Sequence, residues 1–473
     1  MPTLPLPLFE KVYRNVDGVE LSDKKERVLN AYLDEEGFTR GRPGLGLFSD
    51  LGLGANNAAN SLFWWHDKNI ALAVAGGRVF KIEYISGTAV KTDITGDSLS
   101  SNLPATFAAD SSNCYIASGG KIVYTNGTAL TAYIADVDCP TDVSHISYVD
   151  QYLLANDISA NRIYYSDLSN PLSWNALSFF SPSGSPDSLV AQVAVNREIF
   201  IFGTTSLEIW TNDGSTPFAR TPGGHLQSGL IAANSIIVDE TTVYWLNHNR
   251  KFVKYYNGGY QNISSPYDKD IGMYSAVSDC RGFLMEIEGK KFLIWSFPTE
   301  DKTLVYNLAA QDWTEWSFWD QVSMEHTRFL GGSYCYSPAW GKHLVGDVNS
   351  SLVYEISPTF HDDAGAEIRV SVRTGHIDYG SSRRKVNRRI LFRAKRGSHD
   401  VETEPKLMIR WRDDGANTWG NEHQFSLGNP GQTEMVVAIH RTGIYQARQY
   451  EFSVSDAVDV IFGRAEEEFT FLR

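Results

Sequence analysis

Carboxylates are the commonest reactive groups in this chain of 473 residues, with 56 Asp and Glu against 42 Lys and Arg and a formal net charge of −14. Acid–base or nucleophilic catalysis needs such groups brought together in a chosen pair, and no spacing singles one out. His361, Asp362 and Asp363 join an imidazole to two carboxylates. They lie in a polar, turn-rich stretch, where such groups are usually solvated rather than metal-bound. The four cysteines, Cys114, Cys139, Cys280 and Cys335, are far apart and form no C-x-x-C pair. They read as buried free thiols of a chain made in a reducing compartment, not as a zinc site. The G-x-S-x-G elbow, the H-E-x-x-H helix and the G-x-x-x-x-G-K-[ST] phosphate loop do not occur. The expectation is no catalytic residue, no metal and no cofactor, hence no enzyme.

The stretch RDDGANTW, residues 412–419, is close to the pattern S-x-D-x-G-x-T-W. Asp414, Thr418 and Trp419 match, while Arg412 and Ala416 replace Ser and Gly. It resembles the Asp box of sialidases. The residue types explain a turn: an Asp side chain accepts backbone N–H bonds, and a Trp packs beneath the hairpin. A looser relative is TNDGSTPF, residues 211–218. A retaining glycosidase would also need two carboxyls about 5–5.5 Å apart. A sialidase would add a set of arginines and a nucleophilic Tyr, and its boxes recur blade after blade. A carbohydrate-active propeller, lectin-like or of sialidase type, is thus the second reading.

One run is strongly basic. Residues 381–397 contain Arg383, Arg384, Lys385, Arg388, Arg389, Arg393, Lys395 and Arg396. On a strand, Arg389, Leu391, Arg393 and Lys395 share one face, and Ile390, Phe392 and Ala394 the other. Such a face is either solvated or a docking patch for an acidic partner protein or DNA. No aromatic residue is interleaved as in single-strand binders.

The elements behind these residues are strands. Seven times the chain repeats a short apolar strand, a turn and a second strand bearing an aromatic residue: Phe80, Tyr124, Tyr165, Trp210, Tyr256, Tyr306 and Tyr354. A spacing of about 40–50 residues is that of propeller blades. One such leaflet cannot bury its apolar face alone, so it stacks on its neighbours around an axis. Gly76–Gly77, Gly119–Gly120 and Gly258–Gly259 suit turns at positive φ. Residues 357–367 read as a linker, and the longer strands beyond it suggest an antiparallel sandwich. The expectation is an all-β chain with an N-terminal extension (1–55), a β-propeller of six or seven blades (56–357) and a C-terminal antiparallel β-sandwich-like domain (358–473). Residues 23–37 are the best candidate for a short helix.

Composition narrows the function. Nucleic-acid binding usually draws on a basic surplus, and this chain has the reverse. No run of about 18 apolar residues could span a membrane. The opening MPTLPLPLFEKVYRN lacks the basic and apolar regions of a signal peptide.

Residues 163–246 resemble the packaged-DNA stabilisation proteins, or tail accessory proteins, of short-tailed phages. The matching positions are Ser166, Asp167, Pro171, Trp174, Pro186, Asp187, Gly203, Glu208, Trp210, Pro217, Phe218, Gly229 and Ser235. The LPL at Leu4 and RGRPGL at 40–45 are similar to the family's opening. So is the C-terminal order of basic strand, Asp-Asp-Gly turn and final β segment. The resemblance implies a structural virion protein, made in the bacterial host cytoplasm and placed in the short tail. It implies a homo-hexamer forming a nozzle below the portal and adaptor ring, which closes the DNA-filled capsid. It also implies tailspikes or tail fibres at the side, a tail needle or plug below, and double-stranded DNA passing through the lumen. An acidic wall suits that conduit, because it repels phosphates.

Overall fold

The computed structural model describes residues 3–6, 27–34, 38–100, 103–214, 218–396, 404–428 and 434–472. Short runs of β-branched and aromatic residues, stopped by turns, form strands almost throughout. In the first blade, Ile70–Ala75 ends at Gly76 and Gly77, with φ of 56° and 73°, and returns as Arg78–Ile85. Two consecutive positive φ values match the right-handed twist of the flanking strands.

Seven four-stranded antiparallel units follow one another, at residues 59–93, 106–133, 143–180, 189–226, 237–262, 281–315 and 331–357. The last supplies only three strands itself. Its fourth is Gly44–Ala55, which pairs with Ser350–Ser357 from Ala55 opposite Ser350 to Gly44 opposite Ser357. An early strand therefore closes the ring. Among the described residues the propeller has seven blades, and all seven recurring aromatics lie on the third strand of their blade. In blade six the quoted repeat joins the third strand to the fourth, because Lys302–Asn307 is already the third.

Alternation along each strand sends one set of side chains into each gap between blades. The cores sit there. Phe252 of blade five stacks on Trp295 of blade six at 4.2 Å between centroids, with Trp313 alongside. Leu51, Val353 and Leu344 of blade seven meet Leu62, Ala73 and Phe80 of blade one. Trp245, Trp295, Trp313 and Trp316 are among the largest fully buried side chains. Truncating such a residue typically costs about 3–5 kcal/mol, so the wheel is held mainly by its gaps. Polar bonds join successive innermost strands: Ser61 Oγ accepts from Ala105 N (2.7 Å), Ile146 N donates to Thr106 Oγ1 (3.1 Å), and Ser333 Oγ donates to Ala59 O (2.9 Å).

The C-terminal strands make a two-sheet sandwich. In one sheet Lys385–Arg396 lies between Val460–Phe471 and Glu434–His440. In the other, Val370–Arg373, Arg448–Val454, Lys406–Asp413 and His423–Ser426 follow in order. Phe392 from the first sheet stacks on Phe452 from the second at 4.7 Å.

The strands of residues 1–55 divide between the two bodies. Thr3–Leu6, Ala31–Leu33 and Thr39–Gly41 join the first sandwich sheet, and Gly44–Ala55 completes blade seven. Arg27–Leu29 pairs with Val370–Arg373 on one side and, in parallel register at Leu29, with Glu315 of blade six on the other. One nine-stranded sheet thus runs from the propeller into the sandwich. The helix expected at 23–37 is not formed where that segment is described: Arg27–Leu29 and Ala31–Leu33 are strands, while 23–26 and 35–37 lie outside the described residues. Asn30, at φ 56°, breaks the run and bonds to Ser317 Oγ and Arg369 O, both at 3.0 Å. The segment read as a linker is also ordered. Asp362–Asp363 and Ala366–Glu367 form a minimal hairpin beside the closing strand. No helix of the described residues is long and apolar enough to cross a membrane.

Candidate functional site

Two places present functional groups: the outer face of the first sandwich sheet and the axis of the propeller. On the sheet, Ile390, Phe392 and Ala394 are buried, while Arg389, Arg393 and Lys395 are exposed. Neighbouring acids neutralise part of this face. Arg389 bonds Glu468 at 2.7 Å and Lys395 approaches Glu434 at 3.2 Å. Lys385 is buried and donates to the carbonyls of Ser381, Arg383 and Gln446. Burial pushes its pKa down. Arg383 lies over the Phe471 ring at 5.2 Å. Arg384, Arg388 and Arg393 are exposed and make no ion pair among the described residues. The side chain of Arg396 lies outside the described residues. Arg464, on the flanking strand Val460–Phe471, enlarges the exposed basic face, and Arg441 is exposed just beyond the end of the other flanking strand, Glu434–His440. Spacing along one strand could not reveal them, because sheet pairing places them there.

The Asp-Asp-Gly turn is a fastening between strands. Asp414, at φ 52°, accepts from Gln446 N (2.6 Å) and Ala447 N (3.0 Å), more than thirty residues downstream. Thr418 is exposed. Trp419 is half-buried and has guanidiniums about it in place of an apolar bed: Arg373, Arg410 and Arg412 stand 5.0, 5.1 and 4.9 Å from its ring centroid. Glu451 is bonded by two of these, Arg373 and Arg410, and they pull its pKa down against the opposing effect of burial. In the looser relative of the turn, 215–217 lie outside the described residues.

Asp363, expected to be solvated, is completely buried. Arg42 grips it with two bonds, Nη1–Oδ1 at 2.9 Å and Nη2–Oδ2 at 2.5 Å, and also donates to Asn30 Oδ1 and Ser317 O. The group ties the early strands to the segment that follows blade six and to the hairpin beside the closing strand. It is a structural lock. Among the described residues no cluster of three or more His, Cys, Asp or Glu could hold a metal ion. The four cysteines are free and buried. Burial pushes the Cys139 thiol up to about 12.

Most of the residues that carried the family resemblance are buried or half-buried, Asp167 and Pro186 being exposed. Asp187 Oδ2 accepts from Thr205 N (2.8 Å) and Ser206 N (2.9 Å), and its carboxylate fills the space a side chain at Gly203 would need. Glu208, 1% exposed, accepts from Gly184 N and from Trp210 Nε1. Trp174 Nε1 donates to Pro171 O at 3.0 Å. Gly229 lies against the Thr204–Thr205 backbone, where no Cβ fits. Pro217 lies outside the described residues. Asp187, Glu208 and Gly229 fasten blade four to the segments that enter and leave it.

On the axis, the first strands of all seven blades line a cavity of about 330 Å³. Its polar lining includes Asn60, His145, Gln192, Arg281 and Ser333. His145 is buried and bonds Ser144 Oγ through Nδ1 at 2.9 Å; burial lowers its pKa to about 4, so the ring is neutral at pH 7. Sequence periodicity could not identify this lining, since blade stacking alone assembles it.

Residues 25–361 match the phage stabilisation family, described as Bacteriophage P22 Gp10, beta-propeller, and the chain belongs to that family. No curated protein matches the chain. Among solved structures, it is similar to the N-terminal domain of Nup159, at TM-score 0.39 and 8% identity over 67% of this chain and 95% of that one. An auxiliary nutrient binding protein from Bacteroides thetaiotaomicron matches at TM-score 0.39 and 9% identity, over 69% and 82%. The computationally designed Ika8 protein matches at TM-score 0.35 and 9% identity, over 67% and 99%.

Proposed function

We propose, with membership of the phage packaged-DNA stabilisation family as premise, that the chain is a structural protein of the virion and not an enzyme. It works in a short tail, as the nozzle below the portal and its adaptor. Six copies form a ring that closes the DNA-filled capsid and conducts the duplex at ejection. Tailspikes or fibres attach at the side and a needle or plug below. The chain is made in the host cytoplasm before it joins the particle.

The family match over residues 25–361 is the observation that carries this reading. Physical features agree with it. A wheel held by seven apolar gaps is rigid, and its many loops offer contacts to several partners at once. The net charge of −14 favours a wall that phosphates do not adhere to. The exposed arginines Arg384, Arg388 and Arg393, with Lys395 and Arg389 beside them, are the exception to that balance. They make the outer sandwich face the candidate docking patch for an acidic partner protein or DNA.

Electron cryo-microscopy of the particle that carries this chain tests the proposal. Six copies in a ring between the adaptor and the needle are expected. A location in the capsid shell, or a different copy number in the tail, overturns it.

A further inference from the structure

Arg281 opens the innermost strand of blade six and lines the axial cavity. It reaches past blade seven to Asn60 of blade one, Nη1 to Oδ1 at 2.9 Å. Gly332, in the innermost strand of blade seven, also lines the cavity. That single bond leaves most of a five-donor fork unused. Arg281 makes no ion pair among the described residues, and neither does Arg328, whose charge acts on it. Burial pushes both guanidiniums below their ordinary pKa, and for Arg281 the charge of Arg328 adds to the effect. Asp279 offsets part of the Arg281 charge, and Asp301, Asp347 and Asp279 part of that of Arg328, but none stands within ion-pair distance, so an anion in the cavity would complete the compensation of Arg281.

Gln192 supplies the second observation. It is 1% exposed and lines the same cavity from blade four. Its Nε2 donates to His145 O at 3.4 Å, but its buried Oε1 has no partner. Exchanging the two amide atoms would only change which of them is left over. An orphaned buried acceptor is destabilising, and a ligand with a donor group would satisfy it.

We infer that the axial cavity binds a small carboxylate that also carries a hydroxyl group. The carboxylate sits on the free edge of the Arg281 guanidinium, and the hydroxyl donates to Gln192. The cavity, about 330 Å³, offers the space of about ten waters. The neutral His145 neither repels nor holds the anion, so the Arg281 fork carries the recognition of one carboxylate, and a second carboxylate on the ligand stays in the water of the open cavity. The site belongs to a single propeller, and its test stands whether or not the chain works in a tail.

Isothermal titration calorimetry of the full chain at pH 7 tests it, with L-malate as probe. Succinate serves as the partner lacking the hydroxyl, and inorganic phosphate as a different anion. Saturable one-site binding of malate is expected, several-fold tighter than succinate. Arg281→Gln weakens malate binding at least tenfold. Gln192→Leu removes the preference for malate over succinate. If Arg281→Gln does not fold, Arg281→Lys keeps the cation without the fork and binds malate several-fold more weakly. Absence of saturable malate binding, unchanged affinity in the folded Arg281 variant, or tighter binding of phosphate than of malate overturns the inference.

Discussion

Arg42 and Asp363 stand 321 residues apart in the chain and share a doubly bonded ion pair with no exposed side-chain surface. Removing one partner leaves the other charged and buried. Asp363→Ala is expected to cost about 3–5 kcal/mol. Arg42→Met with Asp363→Leu should cost less than Asp363→Ala alone, because no charge is stranded. Urea unfolding of the three proteins checks this, and equal losses would assign the effect to packing.

Closure of the ring rests on Gly44–Ala55. Leu45 in this strand is fully buried against the gap between blades six and seven. Leu45→Ala is expected to lower stability by about 2–5 kcal/mol. Deleting residues 44–55 leaves the strand Ser350–Ser357 as an open edge, and such edges pair with other chains. Size-exclusion chromatography should then show aggregates in place of a single species.

His145 gives a pH dependence of known sign. Burial lowers its pKa to about 4 in the fold, against about 6.5 when unfolded. The unfolded chain binds the proton more readily between these values, so stability is full above pH 6.5 and falls toward pH 4. The loss is about 3 kcal/mol for this group. Melting temperatures across that window should fall less steeply in His145→Gln; parallel curves would remove His145 as the cause.

The unpaired arginines of the outer face set a salt-dependent interaction. With DNA as partner, replacing Arg384, Arg388 and Arg393 by Ser should weaken duplex binding uniformly across sequences. The slope of log affinity against log salt should then fall by about 3. With an acidic tail protein as partner, incorporation into particles falls instead and duplex binding does not change. Fluorescence anisotropy and particle composition separate the two. A variant normal in both assays would leave the face as solvated surface.

The blades were legible because their pattern is local. An apolar run, a tight turn and an aromatic residue recur within a dozen residues, and all seven aromatics, from Phe80 to Tyr354, occupy the same strand of their blade. The family resemblance was legible for a related reason: Asp187, Gly203 and Glu208 fasten the segment entering blade four to that blade's own turn and third strand. What sequence reading missed depends on distant pairing. Arg27–Leu29 has helix-tolerant residues, and only Glu315 and Arg373, far along the chain, make it a strand. Asp363 looks solvated until Arg42 is placed against it. The lining of the axis, with Arg281 and Gln192 on different blades, exists only once the wheel has closed.

That closure has a cost in time. The strand Gly44–Ala55 leaves the ribosome early, and its partner Ser350–Ser357 follows about 300 residues later. At ordinary synthesis rates the wait is about 15–60 s. Throughout it, Gly44–Ala55 lacks its ring-closing mate and the growing array of blades keeps two raw ends. A shortage of chaperones in that interval would lose this chain to clumping before a single blade had been wrongly built.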